Sequence, residues 1–126
     1  MLGDGWIAVD LDGTLAYDDE WKGIEYIGEP IPEMLKRVHE WLDSGITVKI
    51  FTARAAQPES IPYINEWLKK HGLPDLEVTN RKDMNMIELW DDRAIQVEPN
   101  TGKPISEAVQ PTSFQLMNMI RKENNQ

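Results

Sequence analysis

Six ionisable or hydroxyl side chains in this chain stand where apolar runs stop. Asp10 and Asp12 follow Ile7-Ala8-Val9, Thr52 closes Ile46-Thr47-Val48-Lys49-Ile50-Phe51, Lys82 comes just after Leu76-Glu77-Val78-Thr79, and Asp91-Asp92 follow Ile87-Glu88-Leu89-Trp90. Short β-branched and apolar runs bounded by Gly, Asn or Asp predict strands, and open α/β sheets bind ligands at the carboxyl ends of their strands. Four strand ends on one sheet edge would gather three or four carboxylates, a hydroxyl and an amine. That set suits magnesium-assisted phosphoryl transfer. Magnesium prefers a few carboxylates together with waters and phosphate oxygens, which Asp10 and one of Asp91 or Asp92 could supply. A carboxylate beside the metal stays ionised and can attack phosphorus as a covalent nucleophile. A second carboxyl two residues on, Asp12, could protonate the leaving oxygen and later take a proton from water. Thr52 and Lys82 would hold the equatorial phosphate oxygens, where transition-state charge sits.

The elements that must position these groups alternate along the chain. After the first strand, Tyr17 to Glu29 is acidic, carries Gly and aromatics, and lacks a helical period, so a loop or short hairpin that could act as a small flap is expected. Ile31, Met34, Leu35, Val38, Trp41 and Leu42 form one helical stripe, with Pro32 in the first turn and Gly45 as the stop. A second helix is expected after Ser60 as its cap, with Pro62 in the first turn, Ile64, Trp67 and Leu68 turned inward and His71-Gly72 closing it. Ala94-Ile95-Gln96-Val97 suggests one more short strand before a turn at Pro99-Asn100-Thr101-Gly102. Phe114, Met117 and Ile120 keep helical spacing in a last helix, and residues 123–126 are polar enough to fray. Strand-helix alternation of this kind implies a parallel α/β sheet with helices on both faces.

Composition narrows the function classes. The chain has 126 residues, the size of one domain with a real core, and its lack of cysteine excludes a disulfide framework, a thiolate metal site and a cysteine nucleophile. A net charge of −9 disfavours binding along a phosphate backbone. The first residues lack the basic and apolar regions of a signal peptide, and no apolar run approaches the roughly 20 residues of a membrane span. A cytoplasmic protein without a membrane partner is expected.

Asp10-Leu11-Asp12-Gly13-Thr14 resembles the first motif of the haloacid-dehalogenase-like (HAD) phosphohydrolases. Lys49-Ile50-Phe51-Thr52 is similar to their second motif, Lys82 to their lysine motif, and Leu89-Trp90-Asp91-Asp92 to their terminal acidic motif, all in the family's order. The resemblance implies a three-layer Rossmann-like sheet of central order 3-2-1-4-5 and a magnesium-dependent phosphatase. It also implies roles: Asp10 as nucleophile and magnesium ligand, Asp12 as acid/base and ligand through its carbonyl, and Thr52 as phosphate anchor. Lys82 would neutralise nucleophile and phosphate, Asp91 would bind magnesium, and Asp92 would support it directly or through water. The spaces between motifs are too short for a cap domain, which implies a minimal, capless member with an open site. Such a site takes macromolecular phosphates, or small molecules when a flap or the neighbouring subunit of a homo-oligomer supplies a lid. Lys82 is followed by Asp83 where many relatives have Pro, which makes Arg81 a second candidate for its role.

Blander readings stand beside these. Asp-x-Asp-Gly occurs in acidic and calcium-type turns, although the spacing here does not fit an EF-hand. Arg54 could contact substrate beyond the phosphate or form a structural salt bridge. Tyr17 or Trp21, if exposed beside the cleft, could stack on a ring of the substrate, with local packing as the alternative. A phosphorylated small molecule is the expected substrate. Two alternatives are a metal- and phosphate-binding regulatory module without turnover and a polynucleotide end-phosphatase, the latter disfavoured by the acidic charge.

Overall fold

Trp6–Val9 forms β1, which strands flank on both sides and whose residues are all buried. In the computed structural model, which describes residues 4–106 and 112–125, β1 is joined by β2 (Thr47–Phe51), β3 (Val78–Thr79) and β4 (Met86–Trp90). They form one sheet of order β3-β2-β1-β4, with every neighbouring pair parallel. A strand covered in this way reads as a continuous apolar run, which is what Trp6 to Val9 is.

Register brings the strand ends level. Val9 pairs with Ile50 on one side and Trp90 on the other, and Phe51 pairs with Thr79. The pairing of β1 with β4 shifts at its start, from Trp6 opposite Met86 to Ile7 opposite Glu88, so Ile87 is an extra residue in the ladder. Without that bulge Trp90 would stand opposite Asp10. With it, Asp91 leaves the sheet at the level of Asp10, an example of a bulge re-aiming side chains near a site.

Helix α1 (Pro32–Asp43) buries Met34 and Val38, with Ile31, Leu35, Trp41 and Leu42 packed at the edge of the core. Gly45 follows at φ +84°, a conformation that favours glycine and turns the chain back toward β2. Helix α2 (Ile61–Lys70) buries Ile64, Trp67 and Leu68. Both helices share one core with Ile7, Val9, Val48 and Ile50, which alternate onto one sheet face. Trp6 and Ala8, on the opposite face, are buried as well.

Two expectations need correction. Ser60 does not cap α2 with its side chain: a 3-10 turn over Pro58–Ser60 already places it at φ −76° and ψ −26°, and its hydroxyl is buried without a partner. An N-cap side chain works from an extended backbone, which the preceding turn denies it. Residues 94–97 form no strand; Val97 makes one isolated bridge with Pro104, and Ile95 and Val97 remain exposed. The order 3-2-1-4 is therefore present and a fifth strand is absent among the described residues.

The chain divides into two compact units, Met1–Asp92 and Arg93–Gln126. All the candidate residues named above lie in the first. In the second, the turn at 99–102 is closed by Glu98 N donating to the Lys103 carbonyl at 2.7 Å. Helix α3 spans Thr112–Asn124, so Glu123 and Asn124 are helical, and Phe114, Met117 and Ile120 are all exposed. No described helix is long and apolar enough to cross a membrane.

Candidate active site

Adjacent strands that end level place Asp10 beside Asp91 and Asp92, with carboxylate oxygens of all three within 4.8 Å of one another. After Asp10 the backbone folds into a tight turn: Gly13 N donates to the Ala16 carbonyl at 2.8 Å, and Ala16 N to the Leu11 carbonyl at 2.8 Å. The turn swings Thr14 over the acids. Its Oγ1 lies 3.3 Å from Asp10 Oδ2 and 3.2 Å from Asp92 Oδ1, and it accepts from Asp92 N at 3.0 Å. One hydroxyl therefore ties the end of β1 to the end of β4.

Gly13 makes this closeness possible. It sits at φ +92°, and a Cβ there would stand 2.5 Å from Asp92 Oδ2. Gly13→Ala should therefore cost about 1–3 kcal/mol in thermal stability and push Asp92 out of the group. Melting curves together with calorimetric magnesium titration check this; unchanged magnesium binding would mean that Asp92 is dispensable.

Burial pushes the Asp10 carboxyl up to about 7, and a hydrogen bond with Asp92 and the negative charges of Asp91 and Asp92 add to it, while the Thr14 hydroxyl works the other way. The sign of the stability effect follows. An unfolded Asp10 releases its proton near 3.8 and the folded one near 7, so the folded chain holds more protons in between. With chelator present, the melting temperature should fall as pH rises through that window, and Asp10→Asn should flatten the fall. A divalent cation should restore the loss above neutrality, because its charge offsets the repulsion among the ionised carboxylates. A melting temperature that rises through the same window would contradict the crowding of charge at Asp10.

Asp12 lies outside the three-carboxylate group, and its side chain turns the other way. Arg54 grips it at two points, Nε to Oδ2 at 2.8 Å and Nη2 to Oδ1 at 2.9 Å. The same guanidinium donates to the Ile24 carbonyl at 3.2 Å and the Tyr26 carbonyl at 2.9 Å, and it lies over the Trp21 ring at 4.8 Å. Arg54 is only 8% exposed. Of its two readings from sequence, the salt bridge is the one found, and most of its donors are engaged.

Thr52 is 2% exposed and directly follows β2. Its hydroxyl accepts from Arg54 N at 3.1 Å, capping the 3-10 turn Ala53–Ala56, and keeps its own proton to donate. Lys82 lies exposed in the loop after β3 and makes no ion pair among the described residues. Asp83 fastens that loop, accepting from Trp6 Nε1 at 2.8 Å and Asn85 N at 2.8 Å. The Trp6 N–H holds the Asp83 carboxyl below its usual range.

The segment expected as a flap has no regular structure, and its neck is closed. Tyr17 N donates to the Glu29 carbonyl at 2.8 Å, Ala16 bridges Pro30, and Gly28 packs its Cα against the Tyr17 carbonyl with no room for a side chain. Trp67 Nε1 donates to the Gly28 carbonyl at 2.8 Å. An open groove of about 290 Å³ lies along Thr14, Met34, Arg37, Trp90, Asp91 and Asp92. Arg37 forms part of its wall, its guanidinium over the Trp90 ring at 4.8 Å.

The roles of Gly13 and Thr14 were not apparent from residue types, although Thr14, four residues after Asp10, was within reach in any tight turn. No family model, curated protein or solved structure matches this chain.

Proposed function

We propose that the chain is a magnesium-dependent phosphomonoester phosphatase of the HAD-like type, acting through an aspartyl phosphate on Asp10. The observation that carries the reading is the convergence of Asp10, Asp91 and Asp92 with Asp10 pushed up to about 7. Their donors are all hard oxygens gathered within 4.8 Å of one another, so a small divalent cation fits. Asp10, Asp91 and Asp92 would hold it, and when bound it would polarise the phosphoryl oxygens and keep Asp10 ionised. The proposal includes the three-layer form with helices on both faces, of which α1 and α2 cover one.

The chain's own groups then divide the reaction into two displacements. An Asp10 carboxylate oxygen bonds to phosphorus as the bond from phosphorus to the ester oxygen breaks, and Asp12 gives that oxygen a proton. In the second step Asp12 takes a proton from water, the water oxygen bonds to phosphorus, and the bond to Asp10 breaks to release inorganic phosphate. Both Asp12 oxygens accept from Arg54, so one must leave the guanidinium when Asp12 carries a proton. The Thr52 hydroxyl and the Lys82 ammonium are assigned to the phosphoryl oxygens.

The grip of Arg54 on Asp12 also favours a second reading, a metal- and phosphate-binding module in which the acid/base group is locked. Phosphate release from nucleotides, sugar phosphates, 3′-phosphorylated oligonucleotides and an aryl phosphate, with magnesium and with chelator, separates the two. Magnesium-dependent turnover is the expected result. Magnesium binding without turnover on any ester would select the second reading.

A further inference from the structure

We infer, on the phosphatase reading above, that the recess between Asp12 and the 17–29 loop is the leaving-group subsite, and that it selects esters of flat-ringed alcohols without negative charge. Asp12 forms part of its lining. Whatever oxygen receives the Asp12 proton must lie within hydrogen-bond reach of that carboxyl, so the departing group is directed against the walls of this recess. The recess itself has a volume of about 10 Å³, room for a single water-sized group. Only the leaving oxygen or the attacking water fits inside; the body of the leaving group lies across the rim.

That rim is aromatic. Tyr17 and Trp21 are each 64% exposed and Tyr26 42%, a large apolar outlay on a loop whose backbone is otherwise pinned. Trp21 is steadied by the Arg54 guanidinium over its ring, and Tyr26 by the Lys22 ammonium at 4.6 Å. Rings held in place at little further entropic cost are suited to stack on a planar group.

Charge decides which planar groups are accepted. Asp18, Asp19 and Glu20 line the recess, and the cations that face them are Lys22 and Arg54. Arg54 is committed to Asp12 and to two loop carbonyls, and Lys22 lies over Tyr26. With Asp12, four carboxylates face these two cations, so a second phosphate on the leaving group would meet an excess of negative charge, whereas an uncharged or cationic ring would not be repelled. The subsite therefore discriminates against nucleoside triphosphates, bisphosphates and oligonucleotide ends.

The test compares kcat/KM for phenyl phosphate, glycerol phosphate and a nucleoside triphosphate in magnesium, for wild type, Trp21→Ala, Trp21→Phe and the neutralised D18N/D19N/E20Q variant. Wild type should prefer phenyl to glycerol phosphate. Trp21→Ala should cut that preference about tenfold, the scale of losing one stacked ring, and Trp21→Phe should restore most of it. D18N/D19N/E20Q should raise the triphosphate rate relative to phenyl phosphate. Melting temperatures near that of wild type guard against a folding defect in any variant. Turnover whose ring preference ignores Trp21, or whose triphosphate ratio ignores the three carboxyls, overturns the subsite and leaves the phosphatase intact. Absence of turnover on every ester overturns the phosphatase reading, and the subsite with it.

Discussion

Asp10→Asn should abolish phosphate release, by roughly 10⁴-fold or more, the scale on which loss of a covalent nucleophile acts in enzymes. An amide cannot form the acyl phosphate, and it removes one of the oxygens that would hold the cation. Stability should move the opposite way. Asp10 is the member of the acidic group that is pushed up to about 7 by burial and by its neighbours, so its neutral replacement relieves repulsion above that pH. The variant should melt higher than wild type in chelator at alkaline pH and gain less from added magnesium. Assays of phosphate release beside melting curves check both halves. An inactive variant with unchanged melting would leave the nucleophile reading standing and remove the crowding argument; an active one would end the aspartyl-phosphate mechanism. Asp12→Asn offers a complement, since slowing the second displacement should let a phosphoenzyme accumulate.

Arg54→Ala should destabilise the fold severely. It strips Asp12 of its two-point partner and frees the Ile24 and Tyr26 carbonyls. The side chains of Arg54 and Asp12 are only 7% and 27% exposed, so solvent screens the loss little. Breaking a pair this buried costs about 3 kcal/mol at the lower end of the usual range, because the remaining charge stays poorly solvated. For a chain of this size that lowers the melting temperature by about 10 °C. Arg54→Lys keeps the charge but not the planar fork, and should recover only part of it. Denaturant melts measure the difference. A loss below about 0.5 kcal/mol would place the pair among solvated surface contacts.

Much of the architecture was legible in residue order, for physical reasons that can be named. Trp6 to Val9 is an unbroken apolar run because both faces of that strand are buried, and Pro32, Gly45 and Gly72 mark helix limits through constraints on φ that act locally. The carboxylates could be placed near one another because strand ends in a parallel sheet share an edge. Partner choice was not legible. Nothing in the sequence couples Arg54 to Asp12, since they meet only once β2 lies beside β1. The bulge at Ile87, which sets the level of Asp91, has no marker in a run of mixed apolar residues. Ala94 to Val97 has strand-like residues yet makes only one isolated bridge among the described residues, showing that β propensity is realised only where a ladder is on offer. Ser60 misled because a Ser before a helix caps only from an extended backbone.

The closed neck of the 17–29 loop has an evolutionary consequence. Among the described residues, the hydrogen bonds that fasten the loop are made by its backbone: the Tyr17 amide, and the carbonyls of Ile24, Tyr26, Gly28 and Glu29. Side chains from Asp18 to Lys22 hold none of these attachments, and loop closure is insensitive to modest changes in length. The stretch can therefore drift, lengthen or be exchanged between chains while the sheet and its acids stay as they are. Variation among descendants of this protein should concentrate there, as a replaceable cassette carried by a constant frame.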